Sequence, residues 1–167
     1  MWKPDYLHLF ISHSEVQRDL AGRLKKELER YFIDGFVAHD SIEFGLNWPD
    51  VIKEHLRSCH ALLAVVSPEF SASHWCDQEV GWVLGRGVPV MSISAGCPPY
   101  GFFGLWQALP FRGDHDDVSR RIFERASERP ETGRLVTSAL VTALEKVRNY
   151  DEAKRIVNLL VSASLWD

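Results

Sequence analysis

The segment that most restricts what this chain can fold into is Ala61–Val66, Ala-Leu-Leu-Ala-Val-Val, six apolar residues without a polar break. A strand with one wet face alternates polar and apolar positions. An unbroken apolar strand needs cover on both faces, as the central strand of a parallel sheet has between two helix layers. The neighbouring segments supply the rest of such a sheet. Residues 6–11 form a short apolar run that stops at Ser12, His13 and Ser14. A helix follows, with Val16, Leu20, Leu24, Leu28 and Phe32 at four-residue spacing and Gly35 as its stop. Ser14 with Gln17, or Ser12 with Glu15, has the spacing of a capping box for it. Residues 36–39 are a second strand candidate, followed by a polar loop over 40–47. Asn47 can cap a helix that carries Trp48 and Pro49 in its first turn. Residues 67–73 read as a loop and about 74–84 as a helix, ended by Gly85 and Gly87. Residues 88–93 form a fourth strand and 108–111 a weak fifth.

Alternating strands and helices joined by right-handed crossovers imply an α/β domain, a flavodoxin-like five-stranded parallel sheet in the order 2-1-3-4-5 with helices on both faces. Ligands of such sheets sit outside the carboxyl ends of the strands, at the switch point between strands 1 and 3. That rule singles out the loops at residues 12–15 and 67–75 before any motif is considered. Residues 94–105, irregular and rich in Gly, Pro and aromatics, leave strand 4 at the same end. Those between Ser92 and Trp106 are therefore expected to border the cleft. Asp114 or Asp116 caps a helix with Val118, Ile122 and Phe123 inward. Beyond Pro130 the pattern changes to a C-terminal helical extension of two helices. Thr132 caps the first, with Leu135, Val136, Ala139, Leu140, Ala143, Leu144 and Val147 inward. Asp151 caps the second, with Ile156, Val157, Leu160 and Val161. The expected division is residues 1–128 as one domain and 129–167 as the extension. The apolar Leu165 and Trp166 suggest that this end docks on another surface or continues.

Composition narrows the function classes. The 167 residues suffice for one core, and 19 Lys and Arg against 23 Asp and Glu leave a net charge of −4 with no basic stripe. No nucleic acid partner is expected from such a surface. Cys59, Cys76 and Cys97 are widely spaced and contain no paired motif, which suits a reducing, cytoplasmic setting rather than a disulfide framework or zinc site. No run approaches the length of a bilayer span or a signal peptide core, so no membrane partner is expected either. The chain has no phosphate-binding glycine loop, GxSxG elbow or HExxH pair. Ser12, His13 and Ser14 have triad letters, yet sequence neighbours at a strand end point apart and form no relay. Asp114, His115, Asp116 and Asp117 read as a helix start rather than a metal site. Cys76 reads as a small buried helix residue rather than a nucleophile. No metal and no cofactor are called for.

The informative stretch is residues 67–80. Trp75 and Glu79 lie four apart on one helix that begins at the expected cleft, so they share a face. A carboxylate there is either a solvated group beside a core indole or one partly desolvated against an aromatic wall. Three boxes, in order and at matching spacing, resemble those of the Toll/interleukin-1 receptor (TIR) domains, particularly bacterial ones, over roughly residues 5–128. They are Tyr-Leu-His-Leu-Phe-Ile-Ser-His from Tyr6, His-Asp-Ser-Ile-Glu-Phe-Gly from His39, and residues 63–67 followed by Trp-Cys-Asp-Gln-Glu from Trp75.

The resemblance implies an NAD+ glycohydrolase or cyclase with Glu79 as its catalytic carboxylate. It also implies an NAD-contacting set of His13, Ser14, Asp40, Phe44, Gly45, Trp48 and Trp75. NAD is the substrate of that reaction, not a cofactor. Further implied are self-association through TIR–TIR contacts, with the long loop of one copy completing the site of the next, and a place in bacterial antiphage defence. The Pro-Gly of many animal signalling adaptors is missing from the loop, although Gly45 is present after Phe44. The alternatives are a non-catalytic TIR interaction module and a nucleoside deoxyribosyltransferase. One carboxylate suffices for NAD cleavage because nicotinamide departs as a neutral molecule and needs no general acid.

Overall fold

The computed structural model describes residues 1–38 and 48–163. Five strands, β1 (Leu7–Ser12), β2 (Ile33–Val37), β3 (Ala61–Val66), β4 (Val90–Ser94) and β5 (Leu109–Pro110), form one parallel sheet in the order β2-β1-β3-β4-β5. This is the flavodoxin-like order expected from the sequence. Its central strand is Ala61–Val66, with every residue buried. Helices α1 (Arg18–Leu28), α2 (Trp48–Ser58), α3 (Pro68–Ser71), α4 (His74–Gly85) and α5 (His115–Glu128) connect the strands or follow the last. Alternate strand residues feed two separate cores. Leu9, Ile11, Leu63 and Val65 pack with α1 and α5, while Phe10, Leu62, Ala64 and Val66 pack with α2 and α4. An apolar run with no alternation is thus a two-sided strand, and each face buries its share of side chains against a helix layer.

The remaining helices, α6 (Pro130–Lys146) and α7 (Tyr150–Ala163), add Val136, Leu140, Ile156 and Ala163 to the α1/α5 core. Two expected caps are displaced. Thr132 is buried inside α6, where its hydroxyl donates to the Ala126 carbonyl at 2.5 Å, and Asn149 rather than Asp151 caps α7 by accepting the Glu152 amide at 2.8 Å. Leu135, Val157 and Val161, expected inward, are exposed. The stripe facing the core is therefore narrower than the apolar spacing suggests. Leu165 and Trp166 lie outside the described residues.

Local geometry also corrects the first helix. It passes into a short 3-10 turn over Glu29–Tyr31 and ends at Phe32, whose φ of 58° turns the chain into β2. Gly35 is therefore a strand residue and not a helix stop. A Cβ there would come within 2.9 Å of the Ile11 side chain and 3.3 Å of the Lys25 backbone, so glycine is what lets α1 lie directly on the sheet. Val16 sits in a 3-10 turn before α1 and is exposed. The neighbouring capping boxes do not form, since Ser14 makes no side-chain cap bond and the Ser12 hydroxyl is engaged elsewhere. Asp114 does cap α5, accepting the amides of Asp116 and Asp117 at 3.0 Å. This accounts for the acidic cluster as a helix start.

Candidate active site

β1 and β3 end side by side, and the helices that follow them pack on opposite faces of the sheet, leaving a space beyond the strand ends. Ser67 caps α3 by accepting the Phe70 amide at 3.2 Å, and Ser73 caps α4 by accepting the Cys76 amide at 3.4 Å. These two caps set the direction of α4, which runs back along the sheet with Cys76, Glu79, Val80 and Val83 turned inward. A cleft of about 610 Å³ opens between the ends of β1, α2 and α4. That volume lies within the range of small-molecule sites. Its walls include Ile11, Ala38 and Ile52, which make it largely apolar, with His13, Ser14, Trp48, Trp75, Cys76 and Glu79 around them.

Of the residues expected to act on a ligand, His13, Ser14, Trp48, Trp75 and Glu79 all meet here. Asp40, Phe44 and Gly45 lie outside the described residues, although their described flanks, Ala38 and Trp48, both line the cleft. The Ser14 hydroxyl lies 3.4 Å from that of Ser67, joining the two loops named by the strand-order rule. The His13 ring is buried, with Nδ1 2.8 Å from the Ser14 carbonyl oxygen. The indoles of Trp48 and Trp75 meet at 4.7 Å between centroids and are tilted by 59°. Each is about half exposed at the mouth.

Glu79 is the unusual member. It is only 7% exposed, and the Ser12 hydroxyl donates to its Oε2 at 2.5 Å. Burial pushes the carboxyl up to about 7, opposed by the Ser12 hydrogen bond, which favours the ionised form. The desolvated reading of this carboxylate, and not the solvated one, is the one the fold realises. Cys76, one helical turn before Val80, is also buried, and burial raises its thiol to about 11, which keeps it protonated and unreactive.

Sequence reasoning placed Ser12 in a switch-point loop but missed it as the partner of Glu79. Its signal was strand parity: Phe10 faces α2 and α4, so Ser12, two residues on, faces them as well. The residues between Ser92 and Trp106 do not line this cleft. Ser94, Gly96 and Cys97 border a separate hollow, and Tyr100 instead donates its hydroxyl to Asp77 at 2.6 Å. The 3-10 turn Gly101–Leu105 that follows buries Phe103 in the same core as Cys76, Val80 and Val83 of α4.

Three solved structures resemble this chain to different degrees. The TIR domain of the Toll-related receptor TRR-2 of Hydra magnipapillata matches with a TM-score of 0.55 at 22% identity, over 70% of this chain and 91% of that one. The TIR domains of the activated Roq1 resistosome match at 0.49 and 19% identity, over 93% of this chain and 98% of that one. A 2-deoxyribosyltransferase from Bacillus psychrosaccharolyticus scores 0.49 at 16% identity, over 67% and 90%. Only the first reaches a score at which the likeness bears on the fold. No curated protein matches the chain. None of the helices among the described residues is long and apolar enough to cross a membrane. The family model described as TIR domain matches residues 9–123, more than half of the sequence, and the chain belongs to the TIR domain family.

Proposed function

We propose that this TIR domain cleaves the bond between nicotinamide and ribose in NAD+, with Glu79 as the catalytic carboxylate. The observation that carries the reading is the buried carboxylate of Glu79 on the wall of an apolar cleft, one helical turn from an indole at its mouth. As the glycosidic bond lengthens, positive charge moves from the pyridinium ring to the ribose. A carboxylate desolvated beside that sugar interacts with the growing charge far more strongly than it would in water. The electron pair of the breaking bond leaves with nicotinamide, which departs neutral, so no proton has to be delivered. Trp75 and Trp48 offer aromatic faces for the nicotinamide or the sugar. Ser14 and His13 lie where the remainder of the dinucleotide would follow the strand ends.

Water attacking the oxocarbenium carbon gives ADP-ribose and one proton. An adenine nitrogen or ribose hydroxyl of the same molecule gives a cyclic isomer instead. The reading extends to self-association, with the 39–47 segment of one copy meeting the cleft of the next, and to a role in bacterial antiphage defence. The test is chromatography and mass spectrometry of products after incubation with NAD+ at high protein concentration. Nicotinamide together with ADP-ribose or a cyclic isomer is the expected result. Unchanged NAD+ at every concentration would leave the non-catalytic interaction module. The exposed Phe102 and Leu105, 83% and 85% accessible, favour contacts of that kind. Base exchange on deoxynucleosides without NAD consumption would instead indicate the deoxyribosyltransferase reading.

A further inference from the structure

We propose that Ser12 is a positioning residue for Glu79, holding its carboxylate in one orientation and keeping it ionised inside an apolar wall; the catalytic part of this inference rests on the reading above. The geometry is specific. Ser12 closes β1, and its Cα pairs with Ala64 of the central strand, so its backbone is fixed by the sheet. Its side chain is 1% exposed and projects to the face occupied by α4. The Oγ to Oε2 distance of 2.5 Å is that of a direct hydrogen bond from the hydroxyl to the carboxylate. The bond joins residues 67 apart in sequence, one on a strand and one on a helix, so it ties the two rigid elements at the point where they diverge around the cleft.

Among the described residues, Ser12 is the one whose hydrogen bond to Glu79 is seen. The other titratable groups around the cleft are His13 and Glu15 after β1, Glu69 on α3, and Cys76 on α4 itself. Two of these are carboxylates and would oppose ionisation of Glu79, and Cys76 is a protonated thiol. His13 directs Nδ1 to the Ser14 carbonyl. The Ser12 hydroxyl is the donor that the structure aims at Glu79, and it uses the freedom of an uncharged group to favour a charge without neutralising it. A lysine or arginine in its place would also keep the carboxylate ionised, but its positive charge would offset the attraction for the sugar cation.

The experiment compares the parent, Ser12→Ala and Ser12→Thr, each first shown to be folded by near-ultraviolet circular dichroism. The Glu79 carboxyl is followed by carbon NMR on protein labelled at glutamate, with the Glu79→Gln spectrum assigning its signal. NAD consumption is measured as a function of pH in parallel. Loss of a hydrogen bond to a charged group should move the Glu79 midpoint in Ser12→Ala upward by about one to two pH units. The alkaline shift of the pH–rate profile should match it, and the rate at pH 7 should fall about tenfold or more through kcat, with KM little changed. Ser12→Thr, which keeps the hydroxyl, should return both midpoints toward the parent. An unmoved Glu79 signal in Ser12→Ala, or a lower one, overturns the proposal. A shifted signal in a protein that never consumes NAD supports the positioning role and overturns the catalytic reading alone.

Discussion

The two ends of the sheet hold clusters made of similar components with opposite outcomes. One face of β1 presents His8, Phe10 and Ser12 in succession, and the two polar residues lie on either side of the aromatic core. Around His8, the N-terminal segment closes the space. Trp2 stacks on His8 at 4.8 Å, His8 stacks on His60 at 4.3 Å, and Trp2 meets His55 edge-on at 4.8 Å. The Trp2 indole donates to the Ser58 hydroxyl at 2.9 Å, and His60 Nδ1 accepts the His8 amide at 3.1 Å. Around Ser12, two indoles touch each other at a mouth and a carboxylate lines an open cleft. Aromatic rings beside titratable groups therefore do not by themselves make a site. What separates the two is that rings fill one space, while the other is left open beside a buried acid.

The widest separation between the two ends should appear in NAD consumption. Replacing Glu79 by Gln keeps the shape and the ability to accept from Ser12, but removes the charge. The rate should fall by about 10² to 10³, as when a preorganised electrostatic contact to a transition state is lost. Trp2→Ala, at the sealed end, should leave the rate per folded molecule within about twofold. Equal losses in both variants, measured by nicotinamide release, would mean that the distinction between the ends is structural only.

Stability as a function of pH sharpens the same contrast. The folded-state value of Glu79 is raised, to about 7 from 4.5, so the folded protein binds more protons than the unfolded chain between those values. Its contribution is fully present below pH 4.5 and is lost as pH rises through about 7, a change of about 3 kcal/mol for a group so deeply buried. Glu79→Gln should therefore gain stability over the parent as pH rises across that window, read from urea midpoints at successive pH values. Parallel curves would mean that the carboxyl ionises as easily in the cleft as in water.

Trp75 gives a smaller effect at the mouth. Its indole is half exposed and touches Trp48, so truncation removes a stacking face without opening the core. Trp75→Ala should lower kcat/KM about ten- to a hundredfold, the scale of losing one base–aromatic stack, and Trp75→Phe should recover most of it. A loss in Trp75→Ala that Trp75→Phe does not recover would show that the indole acts through packing with Trp48 rather than through the substrate.

These tests bear on what the amino-acid pattern could and could not reveal. The sheet was legible because burial on two faces leaves an unbroken apolar run at Ala61–Val66, and because each strand stops at residues that favour loops. The meeting of Glu79, Trp75, His13 and Ser14 followed from strand order, since the ends of β1 and β3 must be neighbours. Ser12 was not legible as a partner of Glu79, because the same hydroxyl at the same place satisfies the spacing of a capping box. Only the tertiary contact between the end of β1 and α4 separates the two roles. The end of α1 was misplaced for a related reason. Glycine commonly stops helices, and the close approach of Ile11 and Lys25 that requires Gly35 is a tertiary contact with no local mark. On α6 and α7 the apolar spacing was wider than the covered face, as Leu135, Val157 and Val161 show.

The smallest expected effect belongs to the sealed end and has the opposite sign to that of Glu79. Burial, then the neighbouring His8 and Arg86 charges, lower His60 to about 4 from 6.5, and its ring must stay neutral at Nδ1 to accept the His8 amide. The unfolded chain then binds more protons than the folded one between those values. The contribution of His60 is present above pH 6.5 and is lost as pH falls toward 4. Because the ring is half-buried, solvent screening limits the change to about 1 kcal/mol. His60→Gln retains an acceptor but no titrating group. The stability of the parent relative to this variant should therefore rise between pH 4 and 6.5, where the parent relative to Glu79→Gln falls. Two difference curves of opposite slope, from two residues at opposite ends of the same sheet, would establish that one end excludes a proton and the other retains one. A flat His60 difference would place its ring in water-like surroundings and remove the contrast at the sealed end.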